Sequence, residues 1–251
     1  RSFRTSLWTA NNYSIRCDFP TATDSVMDLI WDGFKEAIHL VVNCDPLVMS
    51  AAWRSIWISS LAVVLAAAAG LPLGIALALA TFPGKRWVIA AFRAGMALPT
   101  VFVGVVCYAM FSRQGVLGPL ELLYSPWAIV IGEFVLAFPI ITAITHGAVK
   151  ALDPRVGETA LTLGAGPFRR WRTYISEARV GVVLAVLTAF GRCVTELGIA
   201  MMVGGNIKNH TRTLATATAL ETGKGEFARG IAMGVVLLVI ALSVTIVIVL
   251  L

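Results

Sequence analysis

Long apolar runs alternate with short polar breaks along most of this chain, falling at roughly 55–80, 88–111, 127–149, 180–203 and 229–251. Each is close to the roughly 20 helical residues that cross the hydrocarbon core of a bilayer. Polar and apolar residues do not alternate within the runs, so the pattern predicts membrane-spanning helices rather than barrel strands. Pro72, Pro99 and Pro139 lie inside three of them, and a membrane helix tolerates proline where neighbouring helices cover the freed backbone groups. Gly70 and Gly74 form a small-xxx-small pair, which predicts close helix packing at that point.

The stretch 27–43 has a different pattern. Ile30, Phe34, Ala37, Ile38 and Val41 recur at helical spacing, with Asp28, Asp32, Lys35 and Glu36 elsewhere on the wheel. It predicts an amphipathic helix lying in the membrane interface. Asp45-Pro46 then closes it and opens the next helix. Residues 1–26 have no periodicity and no apolar core, so they are not a signal peptide. The folded membrane domain is expected to cover 27–251, with 1–26 a disordered or extraneous lead and a C-terminal tail expected beyond the final SVTIVIVLL.

Composition agrees with the pattern. The chain is 58% hydrophobic and 14% charged, with mean hydropathy +0.83, whereas soluble domains average about 45–50% apolar and about 25% charged. The fold class is therefore an all-α integral membrane protein: five transmembrane helices preceded by an amphipathic interfacial helix. The net charge of +6 does not point to nucleic acid, because the excess sits in short loops, where it reports orientation. Lys85, Arg86 and Arg93 follow the first run or open the second, and Lys150, Arg155, Arg169, Arg170, Arg172 and Arg179 follow the third. The loop after the second run has Arg113 alone. The odd-numbered connections are thus expected inside, with the N-terminus out and the C-terminus in. Lys208, Arg212 and Lys224 after the fourth run go mildly against this rule, offset in part by Glu221 and Glu226.

Sites for covalent or metal chemistry are missing from the sequence. It contains no GxxxxGK[ST], no HExxH and no nucleophile elbow. Cys17, Cys44, Cys107 and Cys193 have no ligand spacing, and His39, His146 and His210 read as solvated groups rather than ligands. No metal, no cofactor and no catalytic activity are expected of this polypeptide.

Two constellations remain. In the basic stretch 150–179, Glu158, Ala160, Gly164 and Ala165 read E-x-A-x-x-x-G-A. Gly164 permits a positive φ or a close backbone approach, the two alanines keep a surface small enough to enter a groove, and Glu158 favours a helix N-terminus. A solvated basic connector with a capping glutamate would use the same residues. The second constellation lies within the runs, where Arg192 and Glu196 stand four apart and Glu133 is a third intramembrane charge. Such residues cost roughly 2.5–3.5 kcal/mol at the bilayer centre and should pair or face a wet cavity. With Thr100 and Thr195 they make a candidate translocation path, or alternatively a buried pair that only fixes packing.

The 150–179 motif resembles the EAA loop of ABC-transporter permeases. Longer stretches, among them MALPTVFVGVVCY and GRCVTELGIAMMVGGNIKNHTRTLATATALETGKGEF, resemble oxyanion importers, the tungstate-type branch above all. One departure is Ile175-Ser176, where the family's loop commonly ends in Leu-Pro. The resemblance implies a type I ABC importer permease in a bacterial or archaeal cell membrane, working as a homodimer. Two cytoplasmic ATPases would carry the ATP and Mg, and an extracytoplasmic oxyanion-binding protein would deliver tungstate or molybdate. It further implies that Glu158, Ala160, Gly164 and Ala165 belong to a short helix docking on the ATPase. A permease for another anion such as sulfate is the nearest alternative. A self-contained carrier would predict inverted repeats, and none is visible.

Overall fold

The computed structural model describes residues 26–43, 45–153 and 155–250, so the expectations for the N-terminal lead and beyond the C-terminus lie outside the described residues. The helices are α1 (Val26–Val42), α2 (Pro46–Leu79), α3 (Lys85–Gly95), α4 (Thr100–Phe111), α5 (Pro126–Lys150), α6 (Arg155–Thr162), α7 (Pro167–Glu177), α8 (Arg179–Val194), α9 (Gly198–Gly204), α10 (Leu214–Gly223) and α11 (Phe227–Leu250). Among the described residues there is no strand.

The two central helices begin with the caps their sequences specify. Asp45 Oδ1 accepts from the Leu47 and Val48 amides at 2.8 and 3.3 Å, and Pro46 opens α2. Ser125 Oγ accepts from the Ala128 amide at 3.3 Å, and Pro126 opens α5. Each arrangement satisfies orphan amides and uses a proline where no donor is lost. Both helices continue through their internal prolines, Pro72 and Pro139.

These two helices form the spine of the molecule. In lipid no hydrophobic effect drives helix against helix, so close packing of small residues must hold them. A methyl group on Gly70 would lie 3.1 Å from Ile141 and Thr142, and one on Gly74 2.9 Å from the Thr142 carbonyl oxygen. The expected small-xxx-small contact is thus the α2–α5 seam. Three apolar clusters lie along the spine: Ile58, Val103, Phe111, Ile129 and Val203 in one, Ala66, Ile141, Ala189 and Phe190 in the next, Ile75, Val149 and Tyr174 in the last. A fourth joins Ala37 of α1 to Ala51, Leu214 and Met233. Ser55 Oγ accepts from the Leu214 amide at 2.8 Å, fastening α10 to α2.

α1 packs along α11, turning Gly33 and Ala37 inward. Its bulky residues Trp31 and Ile38 remain 63% and 64% exposed, as suits a lipid-facing side.

The predicted runs at 55–80 and 127–149 are the continuous helices α2 and α5. The run at 88–111 is not continuous: α3 and α4 meet at 98°. Pro99 stands at the N-cap of α4, where it supplies no amide and disfavours helix at Leu98. The run at 180–203 also breaks, between α8 and α9 at 195–197, and α8 is joined to α7 through a 74° bend.

Candidate coupling and translocation sites

The basic stretch after α5 folds as two short helices. Asp153 Oδ1 accepts from the Arg155 amide at 2.9 Å and starts α6, with Glu158 in its exposed first turn. The other end of α6 explains the motif. Gly164 has φ 71°. Its amide donates to the Leu161 carbonyl at 3.0 Å, and the Ala165 amide donates to the Ala160 carbonyl at 3.0 Å. This pair of bonds around a left-handed glycine is a Schellman helix end. The E-x-A-x-x-x-G-A spacing therefore encodes one turn of geometry, in which Ala160 and Ala165 are hydrogen-bonded partners and only glycine takes the reversing position without strain.

α7 follows at once from Pro167. Gly157 lies so close to the Tyr174 hydroxyl that a side chain there would collide with it. Tyr174 is 8% exposed and packs against Ile75, Ala78 and Val149 at the foot of the spine. The outer surface is different. Leu161, Leu163 and Phe168 are 55%, 77% and 77% exposed, among Arg155, Arg169 and Arg172. An apolar ridge rimmed by cations, on a pair of helices anchored from behind, is suited to entering a groove on a partner. Ile175-Ser176 lies inside α7, which runs on to Glu177; the chain turns only at Ala178.

The second site is built from the two helix breaks. Arg192 Nη1 donates to Glu196 Oε2 at 3.0 Å. Glu196 lies beyond the end of α8, past the Thr195 cap, rather than one turn further along it. Its other oxygen, Oε1, accepts from the Ile199 amide at 3.1 Å and caps α9. Both carboxylate oxygens are thus engaged. The Glu196 side chain is 1% exposed, whereas that of Arg192 is 39% exposed and keeps further donors free for a ligand. Thr195 Oγ1 donates to the Gly191 carbonyl at 2.9 Å on the exposed side of the break.

Thr100 opens α4 directly beside this break. A methyl on Gly198 would lie 3.0 Å from Thr100 Oγ1 and 3.2 Å from Glu196 Oε1. Gly104 and Gly198 allow α4 and α9 to touch, since a methyl on Gly104 would lie 3.3 Å from the Gly198 carbonyl. Glu133 reaches the cluster from α5. It is 2% exposed, with Ser59 as its hydrogen-bonding neighbour and within the electrostatic reach of Glu196, and its Oε2 has no partner among the described residues. The structure therefore brings Thr100, Glu133, Arg192 and Glu196 to one region, with Thr195 on its open side. Ser59 and Gly198 belong to it too. Neither stands out in the sequence, because an isolated serine or glycine in an apolar run ordinarily serves packing.

Membrane proteins built around discontinuous helices place polar groups where the backbone is interrupted. The model of the family described as binding-protein-dependent transport system inner membrane component matches residues 70–251, from the α2–α5 seam to the last helix. The tungstate uptake system permease protein of Campylobacter jejuni is 39% identical over 215 residues, covering 86% of this chain and 90% of the relative. Its counterpart from Peptoclostridium acidaminophilum is 36% identical over 222 residues, covering 88% and 97%. The molybdenum transport system permease protein of Escherichia coli K12 is 30% identical over 187 residues, covering 68% and 80%. Among solved structures, the inward-facing MetNI methionine ABC transporter superposes with a TM-score of 0.61 at 20% identity, covering 79% of this chain and 91% of that chain, which shows the shared fold. With the matched region taking in the end of α2, all of α5, both broken spans and the E-x-A-x-x-x-G-A turn, this chain belongs to the binding-protein-dependent transport system inner membrane components.

Proposed function

We propose that this chain is the membrane subunit of an ATP-driven importer for a tetrahedral oxyanion, tungstate or molybdate. The observation that carries the reading is the identity of 36–39% shared with the two tungstate permeases along 86–88% of the chain. The E. coli relative supports molybdate as the second cargo. In this reading two copies pair in the cytoplasmic membrane with the N-terminus outside. ATP and Mg are held by separate ATPases docked on α6–α7, and a binding protein delivers the anion from outside. Glu158, Ala160, Gly164 and Ala165 act by shaping the docking element rather than by chemistry.

At the break, where the Thr195 hydroxyl already donates to the Gly191 carbonyl, Glu196 braces α9 and holds Arg192, whose remaining N–H groups have no partner among the described residues. Such donors suit an oxyanion, while the absence of a closed cage allows it to leave. Thr100 and the buried Glu133 support the break from behind.

The test is uptake. A deletion strain should lose high-affinity tungstate accumulation and regain it with this chain and its ATPase, while sulfate uptake stays unchanged. Normal tungstate accumulation in the deletion strain, or loss of sulfate uptake instead, would reassign the cargo.

A further inference from the structure

At the foot of α5, beside the α6–α7 element but lined by none of its helical residues, Thr81, Phe82, Lys85, Arg86, Trp87, His146 and Lys150 wall a cleft of about 550 Å³. His146, expected from the sequence to be solvated, is instead 6% exposed because it turns inward at the end of α5, and neither ring nitrogen has a hydrogen-bond partner among the described residues. A buried imidazole left unpaired is costly, and here it lines an open space. Lys85, Arg86 and Lys150 line the same cleft, and the charges of Lys85, Arg93 and Lys150 act on the imidazole. No carboxylate lines the cleft. Lys85 Nζ donates to the Ala78 and Ala80 carbonyls at 3.2 and 2.7 Å, which fixes the ammonium and leaves its third donor over. Arg86 and Lys150 are exposed and make no ion pair among the described residues.

Clustered cations with no counter-charge around an unsatisfied buried imidazole lack one thing, an acceptor with several oxygens. We propose that this cleft binds a tetrahedral oxyanion, the chemistry shared by a phospholipid phosphate and a free inorganic oxyanion. Trp87, 79% exposed, and Phe82, 40% exposed, lie on its rim. Aromatic residues beside clustered cations are what a headgroup meets at a membrane interface. The inference depends on neither the cargo nor the docking role proposed above.

The chain has three histidines, so nitrogen-15 histidine spectra of the full chain can follow His146, its resonance identified by its loss in His146→Phe. In neutral detergent the probes are inorganic phosphate and tungstate. In phosphatidylcholine nanodiscs the probe is added phosphatidylglycerol. The His146 signal should shift with at least one probe. Arg86→Gln/Lys150→Gln, at exposed positions, should fold normally and weaken the apparent affinity about tenfold, as loss of charge-assisted hydrogen bonds predicts. A response to the free ions alone identifies an inorganic oxyanion, and a response to phosphatidylglycerol alone identifies a lipid. Silence toward every probe, or a response that the double substitution leaves unchanged, overturns the proposal.

Discussion

The close approach of Gly157 to the Tyr174 hydroxyl sets how near α6 and α7 can lie. Gly157→Ala would push its new methyl into the Tyr174 hydroxyl, while the next ring atom lies at 3.6 Å, an ordinary contact. Gly157→Ala should therefore part α6 from α7 and lower ATPase co-purification, and Tyr174→Phe in the same chain should restore much of it. A second change that leaves co-purification as low as the first would show that the clash is not the cause. The glycine and alanines of this element are legible in sequence because a Schellman end has a fixed spacing. Tyr174 is not, because its partner sits across a reversal whose geometry no periodicity records.

Among the helices, the seam and the breaks make opposite demands. Gly74→Ala would place a methyl 2.9 Å from a backbone oxygen of α5, and overpacking of that kind costs about 1–3 kcal/mol. Gly147 on the same partner helix faces open space, so Gly147→Ala should leave thermal unfolding in detergent unchanged or slightly raised. Equal effects of the two substitutions would refute the seam. At the α8–α9 break the pair is unequal, since Glu196 is buried and Arg192 is not. Arg192→Gln strands a buried carboxylate, a loss of up to about 3 kcal/mol, whereas Glu196→Gln leaves a guanidinium that can reach water. Both should impair uptake, Arg192→Gln should harm assembly more, and a double-mutant cycle should show coupling. Additive effects in both stability and uptake would mean two independent residues. Hydropathy located every apolar run but could not show which ones break. Pro72, Pro99 and Pro139 look alike in sequence, and only at Pro99 does a helix start afresh instead of continuing.

For the molecule as a whole, the distribution of Lys and Arg predicts a sidedness that labelling can check. With Cys17 and Cys44 replaced by serine, and with Cys107 and Cys193 buried, cysteines introduced one at a time at Arg172 and Gln114, both exposed, should react from the cytoplasm and from outside respectively. The reverse pattern would detach the docking element from any cytoplasmic ATPase. What the sequence hid at this scale was how the runs connect. Continuity through Ala178 depends on one residue's backbone, φ −87° and ψ 13°, which no composition reveals.

That junction has a mechanical consequence. α7 hands directly to α8 through a 74° bend packed on the buried cluster around Tyr174 and Ala178, so the docking surface proposed above and Arg192 would be opposite ends of one cranked lever. At 1.5 Å rise per residue, Arg192 stands roughly 20 Å from Arg179, so a tilt of about 10° at the crank carries it roughly 3–4 Å. That is enough to make or release a hydrogen bond at the α8–α9 break. A push on the outside of the protein is thereby felt deep within it without any long chain of rearranging side chains.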